Sequence, residues 1–174
     1  VAFDLSSADK ASGLIPGLAT DWKVNPTDKT RWTFKLRPDV KFHDGSTFNA
    51  QAVVWNLDKL LNTQAEQFDP KQAAQGRNRI PTVKAYKVID DLTVELTTKE
   101  PDSFMPYNLT NLFMASPAQW QKCYDAAPGA DAKAKSAAAW TEFARNASGT
   151  GPWKMTAFVP RERLELAKND AYWD

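Results

Sequence analysis

The sequence predicts an α+β fold in which antiparallel β-hairpins pack against helices, and residues 32–61 give the clearest reasons. In residues 32–37 every second side chain is apolar, namely Trp32, Phe34 and Leu36. One apolar and one polar face are typical of a half-buried antiparallel strand. In residues 50–61 apolar side chains recur at spacings of three and four, which predicts a helix with one face towards a core. The segment therefore encodes a strand and then a helix.

The boundaries of these two elements are also encoded. Pro38 ends the strand because it lacks an amide donor, and Asp44-Gly45 predicts a turn in which the glycine adopts a positive φ. Asn49 stands where an N-cap is expected, directly before the helical pattern.

The chain as a whole predicts three hairpins and several shorter helices. Turn residues at 25–29, 90–91 and 160–161 separate strand pairs, which we place at 18–24 with 32–36, 83–89 with 92–96, and 153–159 with 163–167. Tyr86 interrupts the alternation of its strand and predicts a bulge. Residues 1–5 resemble a strand, and short helices are expected at 102–109 and 117–124. Residues 62–81 are polar without a clear period, and the alanine-rich run 126–139 is either helical or partly disordered.

Composition limits the classes of function. The chain has 174 residues, enough for one domain with a core, and its formal net charge of +1 indicates neither nucleic acid nor an anionic membrane as a partner. Cys123 is the only cysteine, which excludes an internal disulfide and leaves too few ligands for a structural zinc site. No apolar run approaches the roughly 20 residues that span a bilayer. The sequence predicts no metal site and no cofactor.

Three features suggest chemistry, and each has a simpler structural explanation. His43 precedes Asp44, but neighbouring residues of an extended segment point to opposite faces, so we interpret the pair as part of the turn. Cys123 could form a nucleophilic pair with His43, yet a buried structural thiol fits its surroundings better. Gly149-Thr150-Gly151 precedes Pro152 and a strand pattern, so it lacks the helix N-terminus of a phosphate-binding loop.

The seven tryptophans are assigned mostly to the core. Strand and helix patterns place five of them there, namely Trp22, Trp32, Trp120, Trp140 and Trp153. Trp55 lies on the side of its helix opposite the apolar face, so it is either exposed or covered by another element. The two candidates for that cover are the segment 62–81 and a part of the protein outside this chain.

Three blocks, at residues 15–22, at 36–45 with 48–50, and at 149–153 with 169–173, occur in an order that resembles the solute-binding proteins of bacterial peptide-type ABC importers, the dipeptide, oligopeptide, glutathione and nickel group. The chain departs from that family at Gln51-Ala52, where many members have an acidic pair. The resemblance implies that residues 1–174 are a single subdomain of the first lobe of a two-lobed, type II-like binding protein, with the second lobe absent from this chain. It also implies that the glycines at 149 and 151 serve a tight crossing into the main sheet of that lobe.

The resemblance further implies a binding module and not an enzyme. Such a protein captures a peptide or similar small solute between two closing lobes and delivers it to a membrane permease. It works in the periplasm or elsewhere outside the cytoplasm, and reaches the membrane only through the permease or a lipid anchor outside this chain. Two alternatives stay open: a carbohydrate-active hydrolytic domain, which needs paired carboxylates in a pocket, and a protein-interaction domain, which needs an exposed apolar face.

On the family pattern, two loops lie on the inner side of the lobe and supply the candidate ligand-binding residues. The first loop contributes Arg77, Asn78 and Arg79, although these arginines could instead serve only solubility. The second loop, at residues 108–114, contributes Thr110, Asn111, Phe113 and Met114.

Overall fold

A four-stranded antiparallel sheet forms where the alternating sequences predict it. The computed structural model describes residues 1–7, 9 and 11–174. A short pair, β1 (Ala2–Phe3) with β2 (Leu14–Ile15), precedes the sheet. The sheet consists of β3 (Ala19–Val24), β4 (Arg31–Leu36), β5 (Val83–Asp90) and β6 (Thr93–Thr98), in the spatial order β3-β4-β6-β5. Trp32, Phe34 and Leu36 are buried on one face of β4, as the alternation predicts.

The helix α1 (Ala50–Leu61) packs on this sheet and closes the main core. Asn49 caps it, since its side-chain oxygen accepts a hydrogen bond from the Ala52 amide at 3.0 Å. Val53 and Leu57 are buried in the core that α1 shares with the sheet, and Leu60 is buried beside Gly76, which lies between residues 70 and 79. The turn before the helix has Gly45 at φ 86°, which confirms the positive φ expected there.

A second helical layer covers the other side of α1. It contains α4 (Pro117–Ala126) and α5 (Ala132–Phe143), which pack against each other around buried aromatic side chains. Trp55 of α1 joins this layer, with its ring 5.6 Å from Trp120 and 6.1 Å from Trp140. The cover of Trp55 is therefore α4 and α5, which corrects the two candidates that the sequence suggested. Cys123 is buried in the same cluster, as expected.

The segment 62–81 contains a helix that the sequence reading missed. The helix α2 (Pro70–Arg79) begins at Asp69, whose carboxylate accepts a hydrogen bond from the Lys71 amide at 2.9 Å, and Pro70 occupies its first turn. Asp69 followed by Pro70 is a start signal for a helix. The residues after it are mostly polar, so they show no apolar pattern with the period of a helix. Arg77, Asn78 and Arg79 therefore lie in the last turn of a helix and not in a loop.

Two smaller expectations are corrected and one open alternative is decided. The alanine-rich run, left open between helix and partial disorder, is helical again from Ala132, where Asp131 caps α5 by accepting from the Ala134 amide at 2.8 Å. The strand β5 has register shifts on either side of Tyr86, between Val83 and Ala85 and between Val88 and Asp90, and none at Tyr86 itself. The helix expected at 102–109 is shorter, with α3 (Met105–Asn108) followed by one 3₁₀ turn (Leu109–Asn111).

The last hairpin, β7 (Trp153–Val159) with β8 (Arg163–Lys168), forms a two-stranded sheet of its own. A register shift between Met155 and Ala157 brings its apolar side chains to one face, since residues opposite each other share a side of the pair. These side chains are Trp153, Met155, Phe158, Leu164 and Leu166. Trp153 is 58% exposed, so its assignment to the core is wrong for this chain.

Candidate functional site: an open cleft between helices

The side chain of Asn56 joins α1 to the segment that borders the cleft. Its amide nitrogen donates to the carbonyl oxygens of Ala52 at 2.8 Å and Ala115 at 2.9 Å, and its oxygen accepts from the Ala115 amide at 2.9 Å. Asn56 is fully buried. Because both its donors and its acceptor are used, it holds the backbone around Ala115 in one position relative to α1.

His43 and Asp44 form a second junction, and neither acts as an acid or base on the other. The Nδ1 atom of His43 accepts from the Gly149 amide at 3.3 Å, and Nε2 lies 2.9 Å from the Gly151 carbonyl, so the tautomer with its proton on Nε2 satisfies both contacts. Asp44 accepts from the hydroxyls of Ser46 and Ser116, each at 2.5 Å. The pair is part of the turn, as the sequence predicts, and it also ties this turn to residues 116 and 149–151, which the sequence did not predict.

The pKa values around these residues agree with structural roles. Partial burial acts to raise the pKa of Asp44, but the hydrogen bonds from Ser116 and Ser46 outweigh it and hold that pKa below its usual value. Burial raises the pKa of the Cys123 thiol, which disfavours the thiolate that a nucleophile needs.

An open cleft of about 1290 Å³ lies between α2 and α5. Its floor includes the end of α1, and its sides come from residues 63–72, α2, residues 108–115 and α5. Pro160 and Phe158 of the last hairpin reach its edge. This is larger than the roughly 300–1,000 Å³ of typical small-molecule pockets, and the cleft is open to solvent.

Lys59 lies at the floor of this cleft. Its side chain is only 4% exposed, and its ammonium nitrogen donates to the Asn56 oxygen at 3.1 Å and lies 5.7 Å from the centre of the Trp140 ring. Burial lowers the pKa of Lys59 to about 8, although the charge of Asp69 acts in the opposite direction. The neutral and charged forms of this lysine are therefore close in free energy near physiological pH.

Four of the seven predicted site residues line the cleft, namely Arg79, Asn111, Phe113 and Met114. Phe113 is 80% exposed there. The other three do not line it. Arg77 instead donates from Nε to the Leu60 carbonyl at 3.3 Å and lies over the Phe68 ring, and Thr110 donates to the Tyr107 carbonyl at 2.7 Å. Asn78 is exposed outside the lining.

The sequence reading missed Lys59, although a signal for it was present. Ala52, Trp55, Asn56 and Lys59 recur at spacings of three and four, so they form a second face of α1 beside the apolar one. Because this second face carries Ala52 and Trp55, it predicts that another element packs on that side of α1. A lysine on the same face is then buried with them.

Little in the described residues favours hydrolytic chemistry. Two acidic residues line the cleft, Glu66 and Asp69, and the carboxylate of Asp69 is already used to cap α2. In the part of the chain that the structure describes, no group of three or more His, Cys, Asp or Glu side chains could hold a metal ion. Within the same residues, no helix is long and apolar enough to cross a membrane.

Two curated proteins illustrate what the chain is similar to. It is 33% identical over 171 residues to the glutathione-binding protein GsiB of Pectobacterium atrosepticum, covering 95% of this chain and 28% of that protein. It is 31% identical over 170 residues to the dipeptide-binding protein of Escherichia coli, covering 92% of this chain and 30% of that protein. The chain thus spans less than a third of the length of these relatives.

Solved structures with a similar fold include two binding proteins. The periplasmic binding protein DppA of Helicobacter pylori, in complex with the peptide STSA, superposes with a TM-score of 0.73 at 25% identity, over 92% of this chain and 31% of that one. NikA of Brucella suis, in complex with Fe(III)-EDTA, superposes with a TM-score of 0.67 at 27% identity, over 97% of this chain and 29% of that one. The family profile of bacterial extracellular solute-binding proteins, family 5 (middle), matches residues 13–174. The chain therefore belongs to family 5 of the bacterial extracellular solute-binding proteins.

Proposed function

We propose that this chain is a subdomain of the first lobe of a two-lobed protein that binds peptides or similar small solutes for an ABC importer. The protein works outside the cytoplasm and delivers its solute to a membrane permease. The observation that carries this proposal is the open cleft, lined by Arg79, Asn111 and Phe113, in a chain of the solute-binding family. A second lobe closing over this cleft would bury the solute on both sides.

The exposed apolar face of the hairpin β7–β8 fits the same proposal. A two-stranded sheet with one apolar face is marginally stable alone, and it is completed when further strands of the same lobe join it. That explanation requires no separate interaction partner, so the exposed face does not by itself favour a protein-interaction domain.

The experiment is calorimetry on the longer protein that carries both lobes. We expect micromolar binding of glutathione or a dipeptide, a free energy of roughly −8 kcal/mol. A two-lobed protein that binds neither glutathione, nor dipeptides, nor a metal chelate would overturn the proposal.

Two further variants test the position of the cleft in the longer protein. Arg79→Ala and Asn111→Ala should each weaken binding by about tenfold, because each removes a polar group from the lining. Arg77→Ala is the matched control, since Arg77 does not line the cleft itself and only supports Leu60 and Phe68 from behind, so its loss should affect stability more than affinity. Equal affinities for all three variants and the wild type would place the solute elsewhere.

A further inference from the structure

The ammonium group of Lys59 makes one hydrogen bond, to Asn56, and its other N–H donors have no acceptor among the described residues. A lysine ammonium has three N–H donors, and the only hydrogen-bond acceptor for it among the described residues is the Asn56 oxygen. No carboxylate of those residues lies within ion-pair distance, the salt bridges of the structure being elsewhere. A buried cation with free donors at the floor of a cleft is costly unless an anion reaches it.

The anchor of Lys59 is rigid. Asn56 cannot turn away, because Ala52 and Ala115 use its remaining hydrogen-bonding atoms. The aromatic ring of Trp140 lies beside the ammonium, and its indole N–H donates to the Gln67 carbonyl at 3.0 Å, which fixes the ring. The donors of Lys59 are therefore preorganised, which lowers the cost of binding an anion.

Ser136 supplies a second unpaired donor to the same cleft. Its side chain is 5% exposed, and its hydroxyl has no hydrogen-bond partner among the described residues. Ser136 lines the cleft and lies four residues before Trp140 on α5, so both side chains are on the same face of that helix. A buried hydroxyl without a partner is uncommon and needs an explanation, and a ligand group entering the cleft would provide one.

The charges around the cleft favour an anionic solute. Among the described residues its lining holds five cations, Lys59, Lys71, Arg79, Lys133 and Arg145, against the two acidic residues Glu66 and Asp69. Asp69 is engaged at the start of α2. The chain as a whole carries a formal charge of only +1, so positive charge is concentrated here.

We propose that Lys59 and Ser136 form a carboxylate-binding subsite at the floor of the cleft, by which the protein selects solutes that carry a carboxylate. This inference rests on the proposed function, because the solute must enter the cleft. The bound carboxylate would also stabilise the charged form of Lys59, so binding takes up a proton where the free lysine is partly neutral. With the pKa of free Lys59 at about 8, affinity should fall as the pH rises above that value.

The test uses the longer protein with glutathione and the dipeptide Ala-Glu as probes, studied by calorimetry at pH 8 in buffers of different ionisation enthalpy. The α-amino group of Ala-Glu also titrates near pH 8, so the measured quantity is the difference in proton uptake between the wild type and each variant. We expect the wild type to take up about half a proton more than Lys59→Met, and Lys59→Met to bind both probes about tenfold more weakly. Lys59→Arg should keep the affinity within about threefold but also lose this extra uptake, because arginine stays charged at this pH. Lys84→Met is the matched control, since Lys84 is exposed on β5 outside the lining.

The outcomes separate this inference from the proposed function. If the wild type binds neither glutathione, nor dipeptides, nor a metal chelate, the carboxylate subsite and the proposed function both fail. If the wild type takes up no more protons than Lys59→Met on binding a probe, or if Lys59→Met leaves the affinity unchanged, the subsite is wrong while the proposed function stands. A loss of affinity in Lys59→Met without extra proton uptake by the wild type would assign Lys59 a purely structural role and overturn the inference.

Discussion

Single side chains determine where the helices of this protein begin. Asn49, Asp69, Ser116 and Asp131 each stand directly before a helix and accept a hydrogen bond from an amide of its first turn. Those amides have no acceptor within the helix. The side chain of the cap residue supplies one in place of a water molecule. Each cap is local in sequence and independent of the others.

The Asn49 cap yields a quantitative prediction. Asn49→Ala should lower the free energy of unfolding by about 1 kcal/mol, because the Ala52 amide loses its acceptor. Urea denaturation followed by circular dichroism measures the change. Asn49→Ser keeps a capping oxygen and should stay within about 0.5 kcal/mol of the wild type. An unchanged midpoint for Asn49→Ala would contradict the role of Asn49 as a cap.

Lys59 should make stability depend on pH. Its pKa in the folded protein is about 8, below the value of about 10.5 in the unfolded chain, so the unfolded chain binds more protons between these two values. The free energy of unfolding therefore rises with pH in that window. We expect the wild type to gain about 2 to 3 kcal/mol relative to Lys59→Met between pH 7 and 10.

The comparison with Lys59→Met isolates this effect from other titrations. Burial and the contact with Asp58 raise the pKa of Tyr86, which lowers stability above about pH 10, but this contribution is the same in both proteins. Denaturation curves at several pH values check the prediction. A difference in the free energy of unfolding between the two proteins that does not vary with pH would show that burial does not lower the pKa of Lys59.

Among the elements, the hairpin β7–β8 depends least on the rest of the chain. All six residues of β8 are exposed, whereas β4 lies between two other strands. We expect the amides of β8 to exchange with solvent about a hundredfold faster or more than those of β4, because the hairpin can open without disturbing the core. Hydrogen exchange measures this, and equal protection of the two strands would contradict it.

The apolar face of the same hairpin should cause this chain to self-associate when it is produced alone. Trp153, Phe158, Leu164 and Leu166 are exposed on that face. Sedimentation at high concentration should therefore detect oligomers, and the double variant Leu164→Thr with Leu166→Thr should shift the chain towards monomer. A strictly monomeric wild type would contradict the prediction.

At the scale of the whole molecule, the proposed function requires both sides of a cleft for tight binding. In that proposal, closure of a second lobe would remove the solute from water, and charged groups gain most when they are paired away from water. We expect this chain alone to bind peptides, glutathione or sugars with a dissociation constant on the order of millimolar or weaker. Calorimetry on this chain tests the expectation, and micromolar binding without a second lobe would contradict it.

Much of the fold could be predicted because its signals are local. The alternation in β4, the apolar face of α1, the Asn49 cap and the Asp44-Gly45 turn each depend on a few neighbouring residues, and each is confirmed. The family resemblance, which rests on short motifs in order along the chain, is confirmed too. The helix α2 was missed because its exposed sides are polar and only Ala73 is buried.

The sequence by itself therefore determined the strands, the first helix and the family. Tertiary structure alone decided that α4 and α5 cover Trp55, that Lys59 becomes the floor of a cleft, and that Arg79 reaches this cleft while Arg77 does not. The physical reason is the range of the interactions. Strand alternation and helix caps act between residues a few positions apart, whereas the contact of Lys59 with Trp140 joins positions 81 residues apart, and only the packing of α1 against α5 brings them together.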